Sequence, residues 1–503
     1  MIKDIFLLLL SAISLGLSFY PFRFSDIFVW LGFIPLFFAI KNKSKKRAFF
    51  FSYITGVVFW SITIYWLIHV TLVGMVALIL YLALYFGIFG FIFSLTSSFH
   101  MGYSILFIPT VWVLTEYLRS YLFTGFGWAL LGYSQYKNIV LIQLADIGGV
   151  WLISFTVMLV NINLYYLIQK RTSLIRKIKY GLFTFLFIIF ALLYGNYCLF
   201  SIGTKWKRNG FPLKVSLIQG NIPQELKWQE YTGDFIIERY FKLTLQSLKE
   251  DPDLIIWPEA SLPGIKGKDP LYYMRLLEFI REIRKPVLFG IVSYQEGRYY
   301  NTAELIIDEK NPPQFYQKLH LVPFGEYIPL KKIFSFLEAM VPIGDFSKGK
   351  DYTVFTIITS YHYHLSPTKF SVLICFEDLF PHLSRGFVRQ GAEFLVNITN
   401  DAWFGRSPAA LQHLMASVFR AVENRVYLLR CANTGISAFI SPFGELFTLK
   451  DKTGNDIFIE GALTREIKIK KDTHFSFYNR YPILFPFLLG IIFLYSIIKN
   501  AKL

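Results

Sequence analysis

Cysteine and charge are both scarce in this sequence. Its 503 residues include only three cysteines, Cys198, Cys375 and Cys431, and 17% charged residues. Three scattered cysteines are too few for a disulfide framework, and no CxxC pair or Cys/His cluster has the spacing of a zinc site. Because 54% of the residues are hydrophobic, the chain is also too apolar for an ordinary soluble protein of this length. We therefore predict a membrane protein without a metal or cofactor, in which one cysteine is a candidate reactive group.

The charge that is present is mainly basic, with a formal net charge of +17. Lys and Arg gather in short loops beside apolar runs, however, and no basic stripe is interleaved with aromatic residues that stack on bases. Loop charge of this kind normally fixes the orientation of membrane helices. A nucleic-acid-binding function is therefore disfavoured.

Apolar runs close to the length of a membrane-spanning helix, about 20 residues, lie at both ends of the chain. Residues 1–203 contain seven such runs, and residues 476–503 contain one more. We predict about eight transmembrane helices, of which the first two are short and form a tight hairpin around residues 22–26. The runs lie near residues 5–20, 27–40, 49–70, 74–97, 103–122, 139–168, 180–202 and 481–500.

The first apolar run has a second interpretation. MIKDIFLLLLSAISLGL has the early lysine and apolar core of a cleaved signal peptide. Asp4 in the charged region, the lack of an A-x-A site and the immediate second apolar run favour a retained helix instead.

Two basic loops predict the orientation. KNKSKKR lies between the second and third runs, and KRTSLIRKIK lies between the sixth and seventh. The positive-inside bias puts both loops in the cytoplasm. Both loops therefore predict cytoplasmic termini in a bacterial inner membrane, with the residues after the seventh run facing the periplasm.

Residues 204–475 have a different character, because Pro, Gly, Asn and paired charges appear and short β-rich runs alternate with helix-like segments. This pattern predicts an α/β domain. In open α/β sheets, polar residues just beyond the strand ends usually carry the chemistry. The runs that indicate buried strands are KVSLIQG, DLIIWPE, PVLFGIVSY, AELIIDEK, FSVLICFED and EFLVNITND.

Three of the predicted strand ends carry groups suited to acyl transfer, which needs a nucleophile, a proton acceptor and a group that stabilises an oxyanion. They are Cys375 in VLICFED, Glu259 in LIIWPEASLPG and Lys318 in YQKLHLVPFGEYIP. A carboxylate can accept the thiol proton, and an ammonium group can lower the thiol pKa. By spacing alone, an inert core cysteine and a capping acid stay the more common interpretations.

The motifs around these residues resemble a known family. WPE, KLHLVPFGEY and ICFED resemble the Glu-Lys-Cys constellation of the nitrilase superfamily, and the apolar runs narrow the resemblance to its membrane-embedded apolipoprotein N-acyltransferases. The resemblance implies a helical membrane domain and an extracytoplasmic, nitrilase-like αββα sandwich at residues 204–475. Further matching motifs are FTGFGWALLGYSQ, LADIGGVWLISF, IQGNIPQELKW, NITNDAWFGRSPAALQHL and RAVENRVYLLRCANTGISAFISPFGE.

This resemblance implies a ping-pong reaction of bacterial lipoprotein maturation. Cys375 would attack the sn-1 ester of a membrane phospholipid and form a thioester, with Glu259 as general base and Lys318 as stabiliser of the tetrahedral intermediate. The α-amine of a diacylglyceryl-modified N-terminal cysteine on an apolipoprotein would then accept the acyl chain. The backbone N–H of Phe376 is a further candidate donor, at a position where many relatives have tyrosine. A monomer is expected.

The resemblance also implies supporting residues. Glu326 and Glu377 match acids near the nucleophile, where they would orient Lys318 or the incoming amine; the alternative is that they are ordinary strand-end acids. Trp228 and Trp403 would line the acyl or substrate entrance, although tryptophans in loops are about as often packing residues.

Other residues that invite a functional role are discounted. Cys431 in LLRCANTG is expected to be structural, and neither His320 nor His413 is expected to act as a base, because the resemblance assigns that role to a carboxylate. Glu116 and Arg119 are three residues apart in the fifth run and are expected to pair; a role in substrate access stays open.

An exposed thioester would be open to hydrolysis, so we predict a mobile apolar loop within residues 342–370 that screens the nucleophile.

Two other functions are considered. One is a membrane-tethered, nitrilase-type amidase that passes its acyl group to water; motif agreement outside the triad favours transfer to an amine. The other is a transporter with an accessory domain, which the scarcity of ionisable residues in the apolar runs argues against.

Overall fold

The computed structural model describes residues 2–95, 104–170, 172–227, 229–327, 346–361, 364–471 and 475–501. The chain divides into two compact units. One comprises Met1–Ile202, Ser407–Phe419 and Ser476–Leu503, and the other comprises Gly203–Arg406 and Arg420–Phe475. The segment Ser407–Phe419 therefore packs with the first unit, although the sequence assigned it to the α/β domain.

The first unit is helical. Its longer helices are apolar along most of their length, as expected of segments that lie in lipid. The helices are Ile2–Leu17, Ser25–Phe28, Ile34–Ile40, Lys45–Thr63, Leu72–Leu95, Ser104–Tyr121, Ala145–Ile168, Leu174–Tyr197, Phe477–Arg480 and Leu484–Ala501, with short 3-10 turns at Tyr65–His69, Leu131–Gln135 and Leu141–Leu144.

Among the described residues, three helices are long and apolar enough to cross a membrane: Leu72–Leu95, Leu141–Ile168 and Leu174–Asn209. A shorter apolar helix occupies Leu484–Lys499. The chain is therefore a membrane protein with a helical N-terminal region, while the number of eight spans stays a prediction.

The run predicted as the second span, residues 27–40, is not one continuous helix. It consists of the short helices Ser25–Phe28 and Ile34–Ile40, joined by turns. Turns leave backbone N–H and C=O groups without helical partners, and such groups are costly in an apolar environment.

A buried asparagine satisfies these groups. Asn161, on the helix Ala145–Ile168, accepts a hydrogen bond from Phe33 N at 3.0 Å through its Oδ1. Its Nδ2 donates to Val29 O at 2.9 Å. The break in the predicted span is thus stabilised by the side chain of Asn161, which lies far from it in the sequence.

The second unit contains two β-sheets. The strands are β1 (Phe211–Gln219), β2 (Leu254–Ile256), β3 (Ile265–Lys266), β4 (Val287–Gln295), β5 (Arg298–Ile306), β6 (Gln314–Gln317), β7 (Phe355–Tyr361), β8 (His364–Ile374), β9 (Phe394–Thr399), β10 (Tyr427–Ala432), β11 (Ala438–Ile440), β12 (Leu446–Thr448) and β13 (Gly461–Ile469). In the first sheet the strand order is β13-β1-β2-β4-β5-β6, with β3 against β4, and in the second it is β12-β11-β10-β9-β8-β7. Each of the six runs predicted as strands contains one, so those predictions are confirmed.

The two sheets pack face to face. Cys431 on β10 donates from its Sγ to Ile218 O on β1 at 3.3 Å and to Ile256 O on β2 at 3.2 Å. Its side chain is fully buried. Cys431 is therefore a core residue between the sheets, as the sequence predicted.

Helices cover the outer faces of the sheets. Gly233–Ser247 and Leu271–Ile283 bury their apolar sides against the first sheet, around Trp257, and Pro381–Arg389 packs on the second. Full burial of a large apolar side chain contributes about 1.5–3 kcal/mol. The unit is thus a helix-sheet-sheet-helix sandwich, which confirms the predicted fold class.

The segment predicted as a mobile loop, residues 342–370, is in large part a β-hairpin. Residues 342–345 and 362–363 lie outside the described residues, but β7 and β8 pair antiparallel from Phe355↔Phe370 to Tyr361↔His364. Phe355 and Phe370 face each other in this pair, are fully buried and stack with ring centroids 5.2 Å apart. The prediction of a loop is wrong for these strands, because their side chains belong to the core of the second sheet.

We expect Asn161→Leu to destabilise the first unit by about 1–2 kcal/mol, because it leaves the backbone groups of Phe33 and Val29 without partners. Thermal unfolding of the detergent-purified protein measures this loss. The matched control is Asn163→Leu, two residues along the same helix and also buried. An Asn161 variant that unfolds no earlier than the Asn163 variant would contradict this account of the break.

Candidate active site

The structure brings the three predicted catalytic residues together at strand ends. Lys318 directly follows β6, Cys375 directly follows β8, and Glu259 lies three residues after β2. Lys318 Nζ is 3.9 Å from Glu259 Oε1, and the charges of both groups act on the Cys375 thiol. Lys318 is 1% exposed and Glu259 is 8% exposed, so their charges act in a largely water-free environment.

Glu326 holds the lysine in place. Lys318 Nζ donates to Glu326 Oε1 at 2.9 Å, and Glu326 Oε2 accepts from Val322 N at 2.8 Å. Burial opposes the charge of Lys318, but the carboxylates of Glu326 and Glu259 outweigh it and raise the lysine pKa above its ordinary value. The lysine is therefore a fixed cation beside the thiol.

An asparagine that sequence reasoning missed joins the two acids. Asn301, on β5, donates from its Nδ2 to Glu259 Oε1 at 2.8 Å and to Glu326 Oε1 at 2.9 Å. It thereby links both carboxylates that lie near Lys318. The available signal was an asparagine inside a strand, where this residue type is rare.

The other oxygen of Glu259 is also fixed. Oε2 accepts a hydrogen bond from the backbone N–H of Asn400 at 2.9 Å. Behind the acid, Lys227 Nζ donates to Glu259 O at 3.2 Å and to Ala260 O at 3.1 Å. Burial lowers the pKa of Lys227 to about 8. Lys227, a second residue that the sequence did not single out, thus holds the turn that carries Glu259.

Cys375 lies in a strained turn. Its φ is +56°, in the left-handed region that non-glycine residues rarely adopt, and it begins the 3-10 turn Cys375–Leu379. Strain of this kind costs about 1–3 kcal/mol and persists only where neighbouring groups hold it. One such group is Asn397, whose Nδ2 donates to Cys375 O at 2.8 Å.

The surroundings of the Cys375 thiol favour its protonated form. Burial raises the pKa of Cys375 well above its ordinary value and the charge of Glu259 raises it further, while Lys318 lowers it only in part. A thiol in this state needs a proton acceptor before it can attack a carbonyl carbon. Among the acids whose charges act on the thiol, Glu259 has the largest effect, and it lies 3.9 Å from the lysine ammonium.

Glu377 joins the segment that carries the lysine to the turn that carries the cysteine. Its Oε1 accepts from Leu319 N at 2.8 Å and from His320 N at 2.9 Å. Its Oε2 accepts from Ile374 N at 2.8 Å. Lys318 and Cys375 are the chain neighbours of these donors, so one carboxylate sets their separation.

A tyrosine completes the environment of this carboxylate. Tyr316 OH lies 2.9 Å from each oxygen of Glu377 and donates to it. Burial raises the pKa of Glu377 to about 7, although the N–H and O–H donors favour its ionised form. Both oxygens of Glu377 accept hydrogen bonds from the backbone and from Tyr316. This pattern favours a positioning role for Glu377 over a direct role at the thiol.

Phe376 and His320 have packing roles in this region. The Phe376 ring lies 5.2 Å from Lys318 Nζ, in a cation–π contact. The His320 ring stacks on Phe380 with centroids 3.8 Å apart. This stacking accords with the expectation that His320 is not the base.

The remaining candidates lie elsewhere or outside the described residues. Trp228 is outside them. Trp403 lies in the turn Asp401–Phe404 and is 42% exposed, so it is a surface residue with an apolar face available to a ligand. His413 belongs to the first unit and packs against Trp128, with ring centroids 5.3 Å apart.

Glu116 and Arg119 do not form the predicted ion pair within the described part of the chain. Arg119 donates instead to Phe126 O at 2.7 Å and to Trp128 O at 2.9 Å. Glu116 Oε1 accepts from Leu131 N at 2.8 Å. The prediction is wrong because both side chains bind the backbone of the loop that follows their helix.

Two family models match this chain. Residues 11–163 match the apolipoprotein N-acyltransferase N-terminal domain. Residues 214–469 match the carbon-nitrogen hydrolase family. The second match contains all the residues of the buried cluster around Lys318.

Curated relatives match over most of the chain. An apolipoprotein N-acyltransferase of Geobacter metallireducens is 35% identical over 95% of this chain and 92% of the relative. The apolipoprotein N-acyltransferase of Chlorobaculum tepidum is 28% identical, over 96% and 94%. That of Rickettsia typhi is 34% identical, over 77% and 76%.

We expect Glu377→Gln to slow acylation of Cys375 about 10- to 100-fold, because an amide NH₂ must then face one of the N–H donors and a charged acceptor is lost. The rate of Cys375 acylation in a single turnover measures the effect. Glu296→Gln, the same change on an exposed turn, is the matched control. An unchanged rate in the Glu377 variant would contradict the positioning role.

Proposed function

The chain belongs to the apolipoprotein N-acyltransferase family, so it is an acyltransferase that N-acylates lipoproteins, and on that premise we propose how its buried cluster performs the reaction. The acyl donor is the sn-1 chain of a membrane phospholipid. The acceptor is the α-amine of a diacylglyceryl-modified N-terminal cysteine. Cys375 carries the acyl group between them as a thioester. The observation that supports this proposal is the position of Lys318, which lies near the carboxylates of Glu259 and Glu326 and near Cys375, whose backbone is strained.

In the first half-reaction Glu259 accepts the Sγ proton of Cys375, and the thiolate attacks the ester carbonyl carbon. The developing oxyanion is stabilised by the ammonium of Lys318, with the backbone N–H of Phe376 as a further donor. The bond between the carbonyl carbon and the glycerol oxygen then breaks. Glu259 returns the proton to that oxygen, so a lysophospholipid leaves and a thioester remains.

In the second half-reaction the free amine of the apolipoprotein attacks the thioester carbonyl. Glu259 accepts a proton from the amine nitrogen, and Lys318 again stabilises the tetrahedral oxyanion. The bond between carbon and sulfur breaks, the thiolate regains a proton and the amide product leaves. Fixed donors and acceptors need little rearrangement between the two steps, which suits a site whose side chains are held by Glu326 and Asn301.

The membrane segments have a role in this reaction. Both substrates are lipids, so a catalytic domain tethered to the bilayer searches in two dimensions and meets each at a raised effective concentration. We propose residues 204–475 as the catalytic domain on the periplasmic face of an inner membrane, with both termini cytoplasmic and the protein monomeric. Residues 1–203 and 476–503 supply the spans, and Trp403 is a candidate for the substrate entrance.

A hydrolase is the alternative, because residues 214–469 match the carbon-nitrogen hydrolase family. Such an enzyme would pass the acyl group from Cys375 to water. The family membership of the whole chain favours an amine acceptor and removes the transporter interpretation.

The reaction with labelled phospholipid and a diacylglyceryl peptide distinguishes transfer from hydrolysis. We expect labelled N-acyl peptide and lysophospholipid in equal amounts. Cys375→Ala should abolish both products, whereas Cys431→Ala, in the core between the sheets, should keep both. Free fatty acid without N-acyl peptide would exclude the transferase mechanism, and turnover in the Cys375 variant would exclude this nucleophile.

Glu259→Gln tests the base. The amide oxygen can still accept from Asn400 N, so we expect the fold to be kept while acylation slows by about 10²–10⁴-fold, the usual contribution of general-base catalysis. Lysophospholipid release in a single turnover is the measurement. Equal rates in this variant and the parent would show that a group other than Glu259 accepts the thiol proton.

A further inference from the structure

A buried ionic cluster lies behind the turn that carries the nucleophile. Arg430, within β10, donates from Nη1 to Asp378 Oδ2 at 3.2 Å and to Asn397 Oδ1 at 2.7 Å. Its Nη2 donates to Asp401 Oδ2 at 2.9 Å. These side chains are at most 2% exposed. None of the four has a part in the proton transfers or in the bonds made and broken above.

The cluster holds the strained turn at two points. Asp378 belongs to the 3-10 turn that begins at Cys375, and Arg430 binds it directly. Arg430 also binds Asn397, whose Nδ2 donates to Cys375 O at 2.8 Å and to Leu373 O at 3.2 Å. A left-handed cysteine persists only where its surroundings hold it, and both of these restraints converge on one guanidinium group.

The cluster is also connected to the base. Asp401 directly follows Asn400, whose backbone N–H donates to Glu259 Oε2 at 2.9 Å. Arg430 therefore fixes one end of the segment that orients Glu259. Strands β8, β9 and β10 are neighbours in the second sheet, so the guanidinium reaches Asp378 and Asp401, which follow β8 and β9.

Charge gives a second reason for an arginine at this place. The Cys375 thiol faces the charges of Glu259, Lys318, Asp401 and Glu326. An uncompensated Asp401 would oppose formation of the thiolate, because like charges repel strongly in a water-free interior. Arg430 offsets Asp401 and Asp378 without contacting the thiol. Buried ion pairs are rarely the most stable choice for a core, so stability alone does not account for the cluster.

We propose that Arg430 is a positioning residue of acyl transfer, which holds the Cys375 turn in its left-handed conformation and offsets part of the charge of Asp378 and Asp401. This inference rests on the proposed role of Cys375 as nucleophile. Arg430 touches neither substrate nor the reacting atoms; it acts through Asn397, Asp378 and Asp401.

The test uses full-length protein in which Cys198→Ala and Cys431→Ala leave Cys375 as its one thiol. The pH dependence of iodoacetamide alkylation reports thiolate formation, and a single turnover with phospholipid reports acylation. Three variants are compared with this parent: Arg430→Lys, Arg430→Met, and Arg430→Met with Asp401→Asn. Thermal unfolding identifies the variants that fold.

We expect Arg430→Met to move the alkylation profile upward by about one pH unit or more, because Asp401 then loses its ion pair with Arg430. Adding Asp401→Asn should move the profile back toward the parent, while acylation stays about 10- to 100-fold slow because the turn is no longer held. Arg430→Lys is the variant most expected to fold. It keeps the positive charge but loses the several hydrogen bonds of the guanidinium group, so acylation should slow while the alkylation profile shifts less than in Arg430→Met.

A purely structural arginine gives a different result. Every variant that folds would then show the parent's alkylation profile and acylation rate, whatever its unfolding temperature, and the proposal would be overturned. Alkylation needs no lipid substrate. A shifted profile in a protein whose parent fails to form a thioester would therefore reject the proposed function while supporting the role of Arg430.

Discussion

The site depends on one buried carboxylate that joins the two sheets. Glu377 accepts from Leu319 N and His320 N, just past the end of β6 in the first sheet, and from Ile374 N at the end of β8 in the second. The amine of Lys318 and the thiol of Cys375 are carried by the residues next to these donors. A loss of this carboxylate would therefore change the separation of the two groups, even though it lies outside the reaction itself.

The remaining electrostatics follow from this arrangement. Lys318 stays charged because two carboxylates outweigh the cost of its burial, whereas the Cys375 thiol stays protonated because burial and Glu259 outweigh the lysine. A protonated thiol is also a poor target for oxidation, since oxidants react with the thiolate. In the proposed mechanism Cys375 becomes reactive when Glu259 accepts its proton, so the acids next to Cys375 in the sequence need not impair it.

The sequence predicted those parts of the site that local pattern determines. Apolar runs next to Glu259 and Cys375 indicated strands with chemistry at their ends, and the motifs around these residues and Lys318 resembled a known family. Asn301, Tyr316 and Lys227 were not predicted, because their roles arise from contacts between strands and loops far apart in the chain. The break within the second predicted span was missed for the same reason, since Asn161, on another helix, binds the backbone at this break. The hairpin in residues 342–370 was missed because the composition of this segment does not indicate it. Its two strands form because they pair with each other.

The chemical state of Cys375 after one exposure to phospholipid tests this account most directly. The protein is incubated with phospholipid alone, without an acceptor, then digested, and the peptide that contains Cys375 is weighed by mass spectrometry. The account predicts a peptide heavier by one fatty acyl group, attached through a bond that hydroxylamine cleaves, together with an equal amount of lysophospholipid. An unmodified Cys375 peptide alongside released lysophospholipid, or the acyl group on another residue, would contradict it.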